Sequence, residues 1–208
     1  MPNQASQGGR LPFDPVERAF ELWRQRWGAS TSMLAVTSLM RAHQLVLAEV
    51  DAIVKPYDLT FARYEALVLL TFSRRGSLPL SKIGERLQVH PTSVTNIVDR
   101  LTKSGLVARK PNPQDGRGVL AEITPDGRVV VEKATADLMA AQFGLDALDP
   151  DQHRTLFDTL RTLRLAAGDF TEPGFTEPGF TEPGFTEPDQ RLEPFERAES
   201  AAPAEAAQ

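Results

Sequence analysis

Between residues 80 and 124 two short amphipathic segments follow one another almost without a gap, and a loop rich in turn-formers and cations comes next. Few folds accept that order. In "SKIGERLQ", Ser81 suits the N-cap of a first helix whose Ile83 and Leu87 face inward at i, i+4. After "VH", Pro91 suits a first helical position, where its missing N–H costs nothing, and "TSVTNIVDRLTKS" continues the helix until Gly105 closes it. Val94, Ile97, Val98 and Leu101 form a narrow apolar stripe along it. "LVARK" and "VLAEIT" then read as brief strands. Between them Asp115-Gly116 is a hairpin signal, while Pro111, Pro113 and Gly118 exclude regular structure around it. Arg109, Lys110 and Arg117 crowd this one loop.

Two short helices joined by a tight turn and followed by a hairpin make a winged helix-turn-helix. Its surroundings read as helices. Val16, Phe20, Trp23 and Trp27 recur at helical spacing, and Gly28 ends that helix. A longer helix over Thr31 to Val54 carries Leu34, Leu39, Leu45, Val46, Val50 and Ile53 until Pro56 stops it. Thr60 suits the N-cap of "FARYEALVLLTF", with Leu59 and Tyr64 as a hydrophobic staple, and Gly76 and Pro79 break that helix. Thr124 and Pro125 open a further helix through "VVVEKATADLMAAQF". Asp149 and Pro150 open a last one, with Leu156, Leu160 and Leu163 on one side.

Composition sets limits on this core. No run approaches the roughly 18 consecutive apolar residues of a membrane span, so no membrane association is expected. "MPNQASQGGRLPFDP" has no apolar h-region, which speaks against a signal peptide. The chain has no cysteine, which excludes disulfides, thiolate metal sites and cysteine redox sensing and fits a reducing, cytoplasmic setting. The net charge of -5 is unevenly spread. Residues 60–128 hold 11 Lys and Arg against 6 Asp and Glu, whereas residues 169–208 hold 2 against 10. A basic middle with an acidic tail suits a nucleic-acid binder, although on charge alone a merely solvated surface accounts for it equally. The tail repeats "FTEPG" at 170–174, 175–179 and 180–184, then "FTEPD" at 185–189. Pro and Gly in such short units hold no helix and bury too little to order themselves. Phe170, Phe175, Phe180 and Phe185 are either stickers for a partner or the product of repeat expansion in an unconstrained linker.

The second helix shows its chemistry on its outer face. Ser93, Asn96, Arg100 and Lys103 fall at i, i+3, i+7 and i+10, flanked by Thr92 and Thr95, with Asp99 at the margin. Short hydroxyls and an amide can approach base edges, and Asn can pair bidentately with adenine. Cations further along suit the phosphate backbone. A merely solvated helix more often shows Glu/Lys pairs at i, i+4.

"LPLSKIGERLQVHPTSVTNIVDRLTKSGLVARKPNPQDGRGVLAEITPDGR" resembles the MarR family of multiple-antibiotic-resistance regulators. "VDRL" with Gly105 soon after, and Asp115-x-Arg117 before "V-L-x-x-I-T-P-x-G", match its recognition helix and wing, within a resemblance spanning about residues 30–167. The resemblance implies a mainly α fold with a small β-hairpin wing, a winged helix-turn-helix flanked by dimerisation helices. It implies a homodimeric DNA-binding transcriptional regulator, a repressor on a pseudo-palindromic operator, released by a small aromatic or phenolic effector. The expected organisation is a disordered N-terminus (1–13), a domain over 14–167 and a disordered acidic tail (168–208). Within the domain, 14–58 and 125–167 would dimerise and 60–124 would bind double-stranded DNA. The DNA-contact set is Ser81, Thr92, Ser93, Thr95, Asn96, Arg100, Lys103, Arg109, Asp115 and Arg117, with Arg117 in the minor groove and Asp115 bracing it. The alternative is a ligand-binding or scaffolding dimer that uses the winged helix for protein contacts.

The N-terminal "DPVERAFELWRQRWG" also resembles the urate-responsive branch of that family, where such a helix caps a pocket between dimer and DNA-binding lobes. That branch carries an arginine shortly after the "TN" of the recognition helix, and here Ile97 follows, which speaks against an anionic purine. Trp23, Trp27, His43, Arg63 and Tyr64 are the candidate lining for an aromatic anion; the competing reading makes the tryptophans dimer core and His43 an interface histidine. Enzyme readings fail: there is no cysteine nucleophile, phosphate-binding glycine loop or HExxH, and His43, His90 and His153 show no metal-ligand spacing. No cofactor is expected.

Overall fold

The computed structural model describes residues 11–113 and 118–171. The expected disorder of the extreme N-terminus and of most of the tail, and the placement of Asp115 and Arg117, fall outside the described residues. In order, the elements are α1 (Pro15–Trp27), α2 (Thr31–Val54), a 3-10 turn (Lys55–Tyr57), α3 (Phe61–Phe72), β1 (Ser77–Pro79), α4 (Leu80–Leu87) and α5 (Pro91–Lys103). They continue with β2 (Val107–Pro111), β3 (Val119–Ile123), α6 (Pro125–Ala140), a second 3-10 turn (Gln142–Gly144) and α7 (Pro150–Ala166). The chain divides into two units, one drawing on the chain up to Tyr64 and on Glu132–Phe170, the other on Glu65–Val131. The boundaries fall inside α3 and α6. Among the described residues no helix is long and apolar enough to cross a membrane.

The helices of the first unit start where short polar side chains can take orphan N–H groups. Asp14 Oδ1 accepts from Val16 N at 2.7 Å and Ser30 Oγ from Met33 N at 3.2 Å. Asp149 and Gln152 form a reciprocal capping box at α7. The start of α3 departs from the sequence expectation. Its first N–H, from Phe61, goes to Asp51 Oδ1 at 2.6 Å, while the Thr60 hydroxyl accepts from Arg63 Nε at 3.3 Å. A charged acceptor from the end of α2 replaces the local cap, because a carboxylate forms the stronger bond. Two further bonds tie α6 into this unit, Tyr57 Oη to Asp137 Oδ2 at 2.6 Å and Tyr64 Oη with Thr135 Oγ1 at 3.0 Å. The Asp137 hydrogen bond raises the Tyr57 pKa above the usual phenol range. Val50, Val54, Leu59, Tyr64, Ala134 and Leu138 are buried, but α1 and α7 bury no residue fully.

The second unit holds a sheet with one strand more than the expected two-stranded hairpin. Three antiparallel strands lie in the order β1-β3-β2. Three residues are too few to show strand alternation, yet Leu78 of β1 is buried opposite Ala121 of β3. The strand leads straight into α4, so Pro79 takes the N-cap position without a side-chain bond and Ser81 is already helical. Ser81 is therefore not the cap. Leu67, Leu70, Ile83, Val94, Val98, Leu101, Leu106, Val107, Ala121 and Ile123 are all buried in this unit.

Candidate nucleic-acid interface

The helix pair α4–α5 sets the candidate surface. α4 ends when Gln88 turns left-handed at φ 54 and its N–H bonds back to Gly84 O. Two residues later His90 opens α5, its Nδ1 accepting from Thr92 N at 3.3 Å. Histidine is an uncommon cap and carries no such signal in the sequence. The helices cross closely at Gly84, where an added Cβ would lie 3.0 Å from Val94 Cγ2 and 3.3 Å from Val89 O. A cavity of about 530 Å³ beside this crossing is lined in part by Leu80, Ser81, Gly84, Glu85, Val94 and Thr95. On its rim Lys82 Nζ donates to Glu85 Oε2 at 2.7 Å, which holds that carboxyl below the ordinary carboxylate range.

α5 ends as the sequence suggests. Gly105 takes φ 74, its N–H bonds Thr102 O at 3.1 Å, and Leu106 N bonds Leu101 O at 2.9 Å, the paired bonds of a Schellman motif. Val94, Val98 and Leu101 are buried and Ile97 is half-buried. That stripe orients the helix. Thr92, Ser93, Thr95, Asn96, Arg100 and Lys103 are consequently all exposed, as is Ser81 on α4. The Thr95 hydroxyl donates to Pro91 O at 3.1 Å, so it faces outward with its lone pairs and its methyl group.

The wing differs from a plain cluster of cations. Arg109 Nη2 on β2 meets Asp99 Oδ1 on α5 at 2.7 Å, joining wing to helix. Lys110 Nζ meets Glu122 Oε1 on β3 at 2.6 Å, a diagonal pair across the strand register. Asp99 entered the sequence reading only as an acid at the helix margin; the structure makes it the brace of Arg109. The signal for this was faint, since the two residues are ten positions apart and on different elements. Just past the C-terminal end of β3, Thr124 Oγ1 accepts from Gly127 N at 3.0 Å and donates to Gly105 O at 2.8 Å, fixing the start of α6.

The profile of the MarR family matches residues 62–119. An HTH-type transcriptional regulator of Bacillus subtilis, YhbI, is 33% identical over 123 residues, 59% of this chain and 74% of the relative. A crystal structure of Sco5413, a MarR family transcriptional regulator from Streptomyces coelicolor, is 66% identical with a TM-score of 0.65, covering 69% of this chain and all of that one. The chain belongs to the MarR family. Another MarR family regulator from Streptomyces coelicolor, Sco3205, solved in complex with DNA, is 25% identical with a TM-score of 0.62 over 69% of this chain and 91% of its own. This MarR protein is thus similar to DNA-binding transcriptional regulators and is itself a regulator of that kind.

The candidate effector residues all belong to the first unit. Trp23 and Trp27 form a tilted pair on α1, with ring centroids 4.7 Å apart and both rings partly in solvent. His43 is exposed on α2. Arg63 and Tyr64 lie on α3 with polar atoms engaged by Thr60 and Thr135, and the Tyr64 ring stacks on Phe61 at 5.7 Å. The structure thus pairs the two indoles on α1 and sets Arg63 beside Tyr64 on α3, with His43 on α2.

Proposed function

We propose that this MarR protein is a homodimeric repressor that reads a pseudo-palindromic operator through α5. The observation that carries this is the two-sidedness of α5. Its apolar stripe is buried, and its outer face offers hydroxyls and an amide at the N-terminal end and cations at the C-terminal end. Polar residues near the N-terminus suit base edges in the major groove and cations suit phosphates. In a two-fold dimer the two helices would address half-sites about 10 bp apart. The wing, with Arg109 and Arg117, would flank them, Arg117 reaching a narrow minor groove.

Dimerisation is supported by apolar surface in the first unit. Leu22, Trp27, Val36, Met40, Leu45, Met139, Phe157 and Leu163 are all more than half or nearly half exposed in the single chain. An exposed apolar set of that extent marks an association surface. A small aromatic or phenolic effector would act by preferring a dimer whose reading helices are wrongly spaced. A tenfold effect needs about 1.4 kcal/mol of such preference. The Trp23–Trp27 pair supplies flat apolar surface suited to a ring.

Binding-site selection from a random duplex pool, followed by titration at several salt concentrations, tests the reading. Asn96→Ala is expected to relax base preference at one position per half-site, at about 1–3 kcal/mol. Arg117→Ala is expected to weaken all sites and to lower the salt slope by about one unit per lost phosphate contact. An unchanged motif with Asn96→Ala, together with an unchanged slope with Arg117→Ala, would refute it.

A further inference from the structure

Arg74, Arg75 and Arg128 belong neither to the ion pairs of the second unit nor to the proposed DNA face. Arg74 and Arg75 fill the two central positions of a turn that Gly76 N closes on Ser73 O at 2.9 Å. Ile123 N donates to Gly76 O at 2.8 Å, which ties this turn to the end of β3. Arg128, in the first turn of α6, lays its guanidinium over the same glycine. A methyl group added at Gly76 would lie 3.5 Å from Arg128 Cζ and nearer still to Nη2. All three arginines are exposed, and among the described residues no carboxylate pairs with any of them. Beside them in the chain stand the large apolar side chains that this unit leaves out of its core. Phe72, two residues before Arg74, is 60% exposed, and Val129, next to Arg128, is 49% exposed.

Like charges gathered around one turn without acids create a positive potential that a partner of opposite sign meets. Guanidinium forks take carboxylates two bonds at a time. Phosphates would satisfy the forks as well, but they offer nothing to Phe72 and Val129. Arginine mixed with exposed aromatic and aliphatic side chains is the composition of a protein-binding patch. Position agrees with this. The turn meets β3 at Ile123, whereas the wing joins β3 at Val119, about 13 Å of strand away. We propose that this face docks an acidic segment of another protein, with carboxylates on Arg74, Arg75 and Arg128 and an apolar side chain against Phe72 and Val129, while α5 stays free for DNA. The last clause rests on α5 being the DNA-reading helix; the docking itself does not.

The probe is a library of random dodecamer peptides selected on the full chain. Enriched peptides are expected to be acidic and to carry an aromatic or aliphatic residue. Their affinity should fall about tenfold in a chain carrying Arg74→Gln and Arg75→Gln, and severalfold with Phe72→Ala, both at exposed positions. A chain carrying Arg74→Glu and Arg75→Glu is expected to select basic peptides instead, which a merely structural role for the turn would not produce. Failure to enrich acidic peptides would overturn the proposal, as would peptides that bind the substituted chains as tightly as the parent. Operator titration of the Arg74→Gln, Arg75→Gln chain is expected to give an unchanged affinity and salt slope. A slope lower by about two units would place the face in the DNA footprint and overturn the proposal. Weaker self-association of that chain in sedimentation would assign the face to a second copy and overturn it equally. Acidic peptides bound as expected by a protein that binds no DNA would support the docking and refute only the DNA reading.

Discussion

The two units of this MarR protein spend their apolar residues differently. In the winged unit the large apolar side chains are turned inward: Leu67, Leu70, Ile83, Val98 and Leu101 are almost wholly buried, and Phe72 and Val129 are the main exceptions. In the helical unit a 24-residue helix buries only Val50 and Val54, and α1 and α7 bury nothing fully. The winged unit closes its stripes by itself, with a sheet, a tight turn and glycine-permitted close packing. The helical unit leaves much of its apolar surface exposed in the single chain. A residue that contacts a base must be held by a core that does not change when the protein associates or dissociates, whereas an association surface must stay open until the partner arrives.

The largest effect is expected where the closed core is cut. Leu101→Ala removes a side chain that is 1% exposed on the inner face of α5, and is expected to cost about 2–5 kcal/mol. Urea denaturation at several protein concentrations checks it: the loss should not depend on concentration, because the contact lies inside one unit. The complementary change is Leu163→Glu, at a side chain 57% exposed on α7. It is expected to weaken self-association at least tenfold, about 1.4 kcal/mol, in sedimentation experiments while barely altering the unfolding of the dissociated chain. A loss of stability at all concentrations from Leu163→Glu would erase the contrast between the units.

Most of this architecture was legible because its signals are local. Asp14, Gly105, Thr124 and Asp149 announce helix ends through bonds spanning two to five residues, Pro91 marks the first position of α5, and the Val94–Val98–Leu101 stripe orients α5 by periodicity alone. That stripe exposes every residue expected on the outer face. What was not legible is long-range. The Asp51 bond to α3 crosses 10 residues, the Lys110–Glu122 pair crosses 12, and β1 declares itself only through its register with β3. The cations of the wing looked like a uniform patch in sequence because nothing local says which acid will stand opposite which base. The candidate effector residues are alike in this: residue type marks Trp23 and Trp27 as candidates, but only the fold shows their rings paired.

The smallest effect belongs to the contact that ties wing to helix. Asp99 and Arg109 are 2.7 Å apart, but their side chains are 50% and 34% exposed, so the pair contributes at most about 1 kcal/mol to stability. Asp99→Asn should therefore leave the core of the winged unit intact, unlike Leu101→Ala. Its consequence for DNA is more informative than its size. If Arg109 acts as a fixed strut, releasing it should broaden wing signals and weaken binding even though a negative charge has left the proposed DNA-binding surface. If Arg109 is merely neutralised by Asp99, the substitution frees a cation, and binding should tighten with a salt slope steeper by about one unit. The 2.7 Å geometry, with α5 and β2 as its two anchors, favours the strut, so weaker binding with an unchanged slope is expected. A steeper slope and tighter binding in titrations from low to moderate salt would instead make Asp99 a brake on the wing's charge.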